Sequence, residues 1–464
     1  MQVAYDRARV GTRAAEWINP KKDELLIPDR KTAYALIEKF DRQLRGETDA
    51  IPDGTVHRRV HRSGSNRLAR HKQAEILIAR SMIYEALGDQ KMMQAAEEAF
   101  NITKTSTTAH MMAVAHHHFG RLQEACNFYT LAYRFPHEEG FNVDLAYTQA
   151  LLFQGKWSEA HRMTLGLKKR MVYAAYLPEW RIDAPNRSNE VSVVSEGGFG
   201  DIIQCGRWIP IIREMVANVT VYLPPYFFET GFVDLMRKQP WCPEVKLLTD
   251  CPQNVPAVGF FDLPAIFDVQ PDNIPPSLSF KADPIRVAKY RDIRNSRFPN
   301  ANLPTVGFCF AARQQETPLV PDGTYRALTE QQAERILVAG FEKVRFVNLQ
   351  KDLKIDQFAA PLIARPEINS WEDTCAIIEN LDFVISVDTA VFHLAAAMGK
   401  PVILILSGAS DWKFGLNDET CRWYPNVRII RNNGFGFENA VEKVIQLVEN
   451  AQFHNPTFQN NPIR

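Results

Sequence analysis

The sequence has few of the features that mark a metal or disulfide protein. It contains seven cysteines, an odd number, and no two of them have Cys-x-x-Cys spacing. The pattern therefore indicates neither a zinc site nor a disulfide framework, and it is typical of a reducing compartment.

An excess of charge is also absent. The chain has 54 basic and 54 acidic residues. A neutral chain is not drawn as a whole to nucleic acid or to a membrane, although a local patch can still bind either.

Long hydrophobic runs are missing too. The longest, near Pro401–Leu406, is far shorter than the roughly 20 residues that span a bilayer. Residues 1–20 carry charges throughout and lack the apolar segment of a signal peptide. We therefore expect a cytoplasmic protein without a membrane span.

Paired amphipathic helices are predicted between Leu68 and Met171. Turn glycines recur at Gly88, Gly120 and Gly155, a separation close to the 34-residue period of tetratricopeptide repeats. Small residues, which let paired helices pack closely, follow each glycine by 11 or 12 positions: Ala99, Ala132 and Gly166. The stretch resembles about three such repeats.

A basic segment leads into these helices. It contains no acid and includes Arg58, Arg59, Arg62, Arg67, Arg70 and Lys72. It is either a solvated loop and helix start, or a patch that binds an acidic acceptor or nucleic acid.

Strands and helices alternate after a polar linker at Pro178–Asn189. Val191–Ser195 and Val219–Leu223 are predicted as strands on either side of a helix over Asp201–Val216, and Phe260 to Ile266 suggests a further strand and turn. Alternation of this kind is typical of a parallel sheet. It resumes in a second lobe, whose first buried strand begins at Thr305.

The first candidate site is the run from Glu196 to Asp201, Glu-Gly-Gly-Phe-Gly-Asp, between a predicted strand and a predicted helix. Glycines allow a tight turn and close approach to a ligand, and a helix N-terminus offers N–H groups to an anion. The run lacks Gly-x-Gly-x-x-Gly spacing, so the dinucleotide fingerprint is not met. Asp201 is equally compatible with a carboxylate that caps the helix.

The second candidate site follows the strand that ends at Val387. Asp388, Thr389 and Ala390 form a short turn into a helix, at the carboxyl edge where open α/β sheets bind ligands. The free N–H groups and the Thr389 hydroxyl suit a pyrophosphate. His393 lies one helical turn further on and either faces the phosphates or is a core histidine.

These motifs carry a family resemblance. Ser386–Pro401 resembles the donor-site signature of heptosyltransferase-like glycosyltransferases, especially bacterial and phage proteins with tetratricopeptide repeats before that module. Four further runs are similar to motifs of the same group and occur in the same order: Glu196–Gln204, Phe346–Lys351, Asp411–Lys413 and Trp423–Pro425.

The resemblance implies a GT-B architecture, an α/β fold with two Rossmann-like lobes across a cleft. The nucleotide-sugar donor is expected on the C-terminal lobe and the acceptor on the N-terminal lobe. The implied reaction is inverting, without metal and without a cofactor beyond the nucleotide-sugar co-substrate. A carboxylate deprotonates the acceptor hydroxyl, and helix N–H groups stabilise the departing diphosphate.

Residue by residue, the resemblance makes Asp201 the expected catalytic base. Donor contacts are expected from Asp388, Thr389, Ala390, Val391, His393, Gln350, Lys351, Arg313 and Arg326. Cleft positions are Gly197, Gly198, Gly200, Gln204, Asp411 and Trp412, the last of which is alternatively a lobe-packing residue.

The predicted organisation has four parts. An N-terminal extension (1–65) precedes all-α tetratricopeptide-like repeats (66–177), an N-terminal Rossmann-like lobe (190–300) and a C-terminal Rossmann-like lobe (301–450). We expect the repeats and the segment Arg58–Lys72 to hold a macromolecular acceptor: a protein, a glycan or a modified nucleic acid.

Two alternatives remain open. The stretch from Ala311 to Arg326 departs from the family pattern, which favours a catalytically inactive module that acts as a repeat-based binding scaffold. The second alternative is a two-lobed epimerase, which would turn over a sugar nucleotide without an acceptor.

Overall fold

The computed structural model describes residues 18–19, 24–25, 30–45, 62–136, 143–166, 177–182, 189–195, 197–297, 303–312, 326–351 and 362–450. Helices dominate the N-terminal part, and two separate, largely parallel sheets follow. None of the helices in these ranges is long and apolar enough to cross a membrane.

The N-terminal part begins with a short antiparallel hairpin and continues as helices. The hairpin pairs β1 (Ile18–Asn19) with β2 (Glu24–Leu25). The helices are α1 (Arg30–Leu44), α2 (Arg62–Ala86), α3 (Lys91–Ile102), α4 (Ser106–His118), α5 (Leu122–Arg134), α6 (Val143–Phe153) and α7 (Trp157–Gly166). Helix α2 starts at Arg62, within the basic segment Arg58–Lys72.

Three glycine turns divide helices α2 to α7 into three helical hairpins. Gly88, Gly120 and Gly155 all have positive φ angles, between 63° and 76°. In each turn the residue after the glycine donates its N–H to the carbonyl five residues earlier: Asp89 to Tyr84, Arg121 to His116 and Lys156 to Leu151. This is the Schellman arrangement, which a residue with a Cβ adopts only with strain. The predicted repeated hairpins are confirmed.

The first sheet has four parallel strands in the order β5-β4-β3-β6. Its elements and the helix that follows it are β3 (Glu190–Val194), α8 (Phe199–Cys205), α9 (Ile209–Met215), β4 (Asn218–Leu223), α10 (Pro225–Glu229), α11 (Phe232–Arg237), β5 (Glu244–Leu247), β6 (Ala257–Gly259), α12 (Leu263–Ile266) and α13 (Pro284–Arg297). We call this unit the N-lobe.

The second sheet has seven strands in the order β12-β13-β11-β10-β7-β8-β9, and only β12 is antiparallel to its neighbour. Its elements are β7 (Thr305–Cys309), α14 (Glu330–Ala339), β8 (Arg345–Asn348), β9 (Ile363–Ala364), α15 (Trp371–Glu379), β10 (Phe383–Val387), α16 (Ala390–Ala397), β11 (Val402–Leu406), β12 (Thr420–Cys421), β13 (Tyr424–Arg431) and α17 (Glu438–Glu449). We call this unit the C-lobe. The mixed α/β fold, preceded by a mainly helical N-terminal region, is as predicted.

Two local predictions in the N-lobe are wrong. The helix expected over Asp201–Val216 is broken by a 3₁₀ turn at Gly206–Trp208, because Pro210 has no N–H to donate to the Gly206 carbonyl. The strand expected around Phe260 ends at Gly259, and Phe260–Asp262 is another 3₁₀ turn.

The two candidate motifs follow the central strands of the two sheets. Strand β3 lies between two parallel neighbours in the N-lobe, and β10 does the same in the C-lobe. Each leads directly from its carboxyl end into a short turn and a helix, α8 or α16. The five residues of β10 are all buried, so this turn is fixed to a rigid core.

Candidate active site

Two strand-to-helix turns face each other: the N-lobe turn, between β3 and α8, and the C-lobe turn, between β10 and α16. Gly200 in α8 lies against α16: a Cβ added at Gly200 would stand 2.8 Å from Cδ2 of His393 and 3.5 Å from Cα of Ala390. A glycine is therefore required here for close approach. The structure thus brings the two motifs, almost 190 residues apart in sequence, into one site.

The N-lobe turn is held by its own hydrogen bonds. The Asp201 carboxylate accepts the N–H of Gly198 at 2.8 Å, the reciprocal contact of a helix-capping arrangement. The Tyr226 hydroxyl donates to the Gly197 carbonyl at 2.6 Å, and the Gly197 N–H donates to Ser195 Oγ at 3.1 Å. Asp201 therefore caps α8, as one of its two interpretations required. Glu196 lies outside the described residues.

The C-lobe turn is also capped. The Thr389 hydroxyl accepts the N–H of Phe392 at 3.2 Å and lies 3.1 Å from Ser386 Oγ. Thr389 is buried, so its hydroxyl is used inside the protein. Ala390 and Val391 are half-buried, and their N–H groups, as the first of helix α16, have no acceptor within the helix. These two groups are the anion donors that the turn offers.

Two cations surround Asp388. Arg326 donates to its backbone carbonyl at 2.7 Å and 3.1 Å, and Lys413 Nζ lies 3.6 Å from Oδ1. Burial alone would raise the pKa of the Asp388 carboxyl, but the charges of Lys413 and Arg326 outweigh it and hold that pKa well below its ordinary value. Asp388 is therefore ionised, and it places two positive groups beside the turn.

His393 is buried in the site. Its Nδ1 lies 3.0 Å from the Tyr424 hydroxyl and its Nε2 lies 3.7 Å from Asp388 Oδ1. Burial, followed by the nearby Lys413 ammonium, lowers the pKa of His393 well below 6.5. The imidazole is therefore neutral, and a proton on Nε2 would face the Asp388 carboxylate while Tyr424 donates to Nδ1.

Lys413 joins this cluster although sequence reasoning did not select it. It lies in the 3₁₀ turn Trp412–Phe414 and is 6% exposed. Burial lowers the pKa of a lysine, but the carboxylates of Asp388, Asp411 and Asp201 more than compensate and raise the pKa of Lys413. A signal was present: the family motif has Asp-Trp-Arg where this chain has Asp-Trp-Lys, so a cation is usual at this position.

The remaining residues predicted to contact the donor are Gln350, Lys351 and Arg313. Gln350 accepts the N–H of Ala311 at 3.1 Å, which joins the end of β7 to the end of β8. Lys351 is exposed at the same edge. Arg313 lies outside the described residues.

A crevice of about 40 Å³ adjoins the facing turns. Asp201 and Gln204 line it from the N-lobe, and Trp412 and Lys413 line it from the C-lobe. The helical repeats contribute as well, through Leu152, His161 and Thr164. The sequence predicted that the repeats hold an acceptor, but it did not predict these residues, because no local pattern shows which helix faces a distant cleft.

Trp412 packs against two other tryptophans and borders the crevice. Its ring packs edge-on against Trp157 of α7 at 5.4 Å and against Trp423 at 5.9 Å, and it lines the crevice. Within the described ranges, the indole N–H groups of Trp412 and Trp423 are buried without a hydrogen-bond partner.

The basic segment lies partly in helix α2. Arg62, Arg67, Arg70 and Lys72 belong to this helix, and Arg70 and Lys72 are exposed on it. Arg58 and Arg59 fall outside the described residues.

Among the residues that are described, no group of three or more histidine, cysteine, aspartate or glutamate side chains is placed to hold a metal ion.

Comparison with known families gives one match to a sequence family. Residues 279–443 match glycosyltransferase family 9 (heptosyltransferase). The match covers the C-lobe and the helix that leads into it, and the N-lobe motif lies before it. No curated protein sequence matches the chain.

Several solved structures are similar at low identity. A family 9 glycosyltransferase from Veillonella parvula DSM 2008 is 10% identical, with a TM-score of 0.42, over 59% of this chain and 100% of that one. The E. coli ADP-heptose lipopolysaccharide heptosyltransferase II is 11% identical, with a TM-score of 0.39, over 57% and 99%. An O-GlcNAc transferase variant from Thermobaculum terrenum is 12% identical, with a TM-score of 0.26, over 92% and 95%.

The family match includes the Asp388–His393 turn and the Lys413 turn described above, and it agrees with the resemblance that the sequence motifs carry. Residues 279–443 are thus similar to glycosyltransferase family 9 (heptosyltransferase), and the chain is a glycosyltransferase.

Proposed function

We propose that the protein is an inverting, metal-independent transferase that moves a sugar from a nucleotide-diphosphate donor to a hydroxyl group on a macromolecular acceptor. The observation that supports this most is the meeting of the two turns. A carboxylate, Asp201, and a helix N-terminus flanked by two cations, Lys413 and Arg326, lie on opposite sides of one site.

The donor side of the reaction falls to the C-lobe. The N–H groups of Ala390 and Val391 and the positive end of α16 favour a diphosphate. Lys413 and Arg326 add positive charge next to it. As the bond between the anomeric carbon and the phosphate oxygen breaks, the diphosphate gains charge, and these groups stabilise it without a divalent cation.

The acceptor side falls to the N-lobe. The Asp201 carboxylate takes the proton of the acceptor hydroxyl while that oxygen forms its bond to the anomeric carbon. Attack from the N-lobe, opposite a diphosphate held on the C-lobe, gives inversion at the anomeric carbon. The cap contact with Gly198 fixes Asp201 at the start of α8.

The acceptor is proposed to be macromolecular because the helical hairpins lie beside the crevice. Stacked helical hairpins present extended binding surfaces, and α6 and α7 reach the crevice through Leu152, His161 and Thr164. The exposed Arg70 and Lys72 favour an acceptor that carries negative charge.

The test is a donor screen with four nucleoside diphosphate sugars, based on ADP, GDP, UDP and dTDP, each in the presence of EDTA. The proposal predicts that one of them binds, that its diphosphate is released when a competent acceptor is added, and that NMR of the product shows the inverted anomeric configuration.

Three outcomes would contradict the proposal. Loss of release in EDTA would exclude metal independence. Turnover of the sugar nucleotide without an acceptor would favour an epimerase. Absence of binding by every donor would favour a scaffold.

A further inference from the structure

The turn that carries Lys413 is in contact with the helical repeats. We call Ser410–Phe414 the 410–414 turn; it includes Asp411 and the 3₁₀ turn of Trp412–Phe414. On one side Lys413 reaches Asp388 at 3.6 Å. On the other side the turn meets helices α4 and α7, which belong to the repeats.

A directional hydrogen bond joins α4 to this turn. His117 Nε2 lies 2.8 Å from the Ser410 carbonyl oxygen. A carbonyl oxygen only accepts, so the proton of His117 lies on Nε2 and is donated to Ser410. Burial lowers the pKa of His117 to about 4. The imidazole is therefore neutral at ordinary pH and keeps this donor.

The backbones of the repeats and the C-lobe also meet without intervening side chains, at Gly120 and Gly408. A Cβ added at Gly408 would stand 2.6 Å from the backbone nitrogen of Gly120, and Gly120 itself has the positive φ of the hairpin turn. Phe119 packs on Phe435 of the C-lobe at 5.3 Å. The α4–α5 hairpin turn therefore sits directly on the loop that precedes Ser410.

Helix α7 supports the same turn through an aromatic cluster. Trp157 contacts Trp412 edge-on at 5.4 Å and stacks on Trp423 at 6.2 Å. Trp157 is 2% exposed, and its indole N–H donates to the Leu152 carbonyl at 2.9 Å. Its position is thus set by the repeats themselves.

We infer that the helical repeats form a fixed part of the donor site, with His117 as a positioning residue that acts on Lys413 through the 410–414 turn. This assigns the repeats a role besides holding an acceptor. The inference rests on the proposed function, because it gives Lys413 a diphosphate to contact.

The directional bond distinguishes this role from general packing. His117 binds the carbonyl next to Asp411, and Asp411 accepts the N–H of Lys413 through Oδ1 at 3.3 Å and the N–H of Phe414 through its carbonyl at 3.2 Å. Removal of the imidazole leaves the Ser410 carbonyl, at the start of this turn, without its hydrogen bond from α4. The orientation of Lys413 then loses a constraint although Lys413 itself is unchanged.

The experiment compares the full chain with three variants: His117→Ala, His117→Gln and His116→Ala. Glutamine retains an N–H donor that can reach the Ser410 carbonyl. His116 is the matched control, since it lies on the same helix but stacks on Phe128 within the repeats. Inorganic pyrophosphate, titrated by calorimetry, probes the phosphate contacts without a choice of nucleotide.

Hydrogen exchange at the Lys413 and Phe414 amides is the second measurement. In His117→Ala we expect the pyrophosphate dissociation constant to rise by about tenfold, from the loss of one buried hydrogen bond. Exchange at the two amides should accelerate, while exchange in β10 stays unchanged. The His117→Gln and His116→Ala variants should each stay within about twofold of the wild type.

Two results would overturn the inference. One is exchange in the 410–414 turn of His117→Ala that equals the wild type. The other is an equal effect of His116→Ala, which would indicate a general disturbance of α4. If pyrophosphate fails to bind the wild type, the proposed function fails, and the exchange measurement alone decides whether His117 positions the turn.

Discussion

The N-lobe turn and the C-lobe turn are built alike but carry opposite charge. Each follows a buried central strand and opens a short helix, and each is capped by its own side chain, Asp201 or Thr389. The N-lobe turn presents a carboxylate, whereas the C-lobe turn is flanked by Lys413 and Arg326. The same backbone device thus serves a proton acceptor on one side and an anion site on the other.

The largest expected effect comes from removal of the N-lobe charge. Asp201→Asn keeps an oxygen that can accept the Gly198 N–H, so the cap is retained while the base is lost. Turnover should fall by about 10²–10⁴-fold, the usual contribution of a general base. The measurement is the initial rate of nucleotide diphosphate release, with the thermal midpoint as the folding control. A rate close to that of the wild type would show that Asp201 is not the base.

Removal of the C-lobe cation should impair both stability and donor binding. Lys413→Met removes one of the two cations beside the buried Asp388 carboxylate and leaves Arg326, so the cost should stay below the roughly 3–5 kcal/mol of a buried charge that loses its only partner. Lys413→Arg, which restores the family's usual residue, should retain most of both. Urea unfolding and donor titration of the two variants measure this. Equal behaviour of the methionine and arginine variants would mean that charge at this position is unimportant.

The close approach of the turns can be tested with a single methyl group. A Cβ at Gly200 would stand 2.8 Å from the buried His393 ring, so Gly200→Ala should cost about 1–3 kcal/mol and reduce turnover. Gly198→Ala is the control, because its Cβ would meet only Asp201, at 3.6 Å. Denaturant unfolding compares them. A harmless Gly200→Ala would mean that the lobes do not meet in solution as described.

Acid should destabilise the repeats and the C-lobe, which contain buried histidines, more than the N-lobe. The chain has no histidine between His161 and His393, so the N-lobe has none, whereas burial lowers the pKa of His110 and His117 in the repeats to about 4 and also lowers that of His393. The unfolded chain binds protons first, near pH 6.5. The stability that these groups contribute is therefore complete above pH 6.5 and is lost as pH falls toward 4.

The expected slope is about 1.4 kcal/mol per pH unit for each such histidine. Urea unfolding at several pH values between 7 and 4 measures it. His117→Gln should reduce the slope by one histidine's share. An unchanged slope in that variant would contradict a buried, neutral His117.

Local signals in the sequence were sufficient for much of the fold. The glycines at 88, 120 and 155 predicted three hairpin turns because only a residue without a Cβ accepts their φ angles without strain. The apolar run before Asp388 predicted β10, because a parallel strand that is buried on both faces has no polar face. The break at Gly206–Trp208 was missed, although Pro210 was a visible signal for it.

The site was predictable only in part, since its contacts join distant segments. The two turn motifs were found because glycines and a strand end mark them locally. Lys413, Tyr424 and His161 were missed, because their roles depend on which elements meet in space. No spacing in the sequence shows that the repeats border the crevice.

The division of roles between the turns is tested most directly by donor-binding titration of Asp201→Asn beside Lys413→Met, with the sugar nucleotide that binds the wild type. At about 100 times the dissociation constant, a bound donor adds about 2.7 kcal/mol of stability. We expect Asp201→Asn to bind the donor like the wild type without turnover, and Lys413→Met to bind it far more weakly. Loss of donor binding in Asp201→Asn, with binding intact in Lys413→Met, would contradict this division of roles.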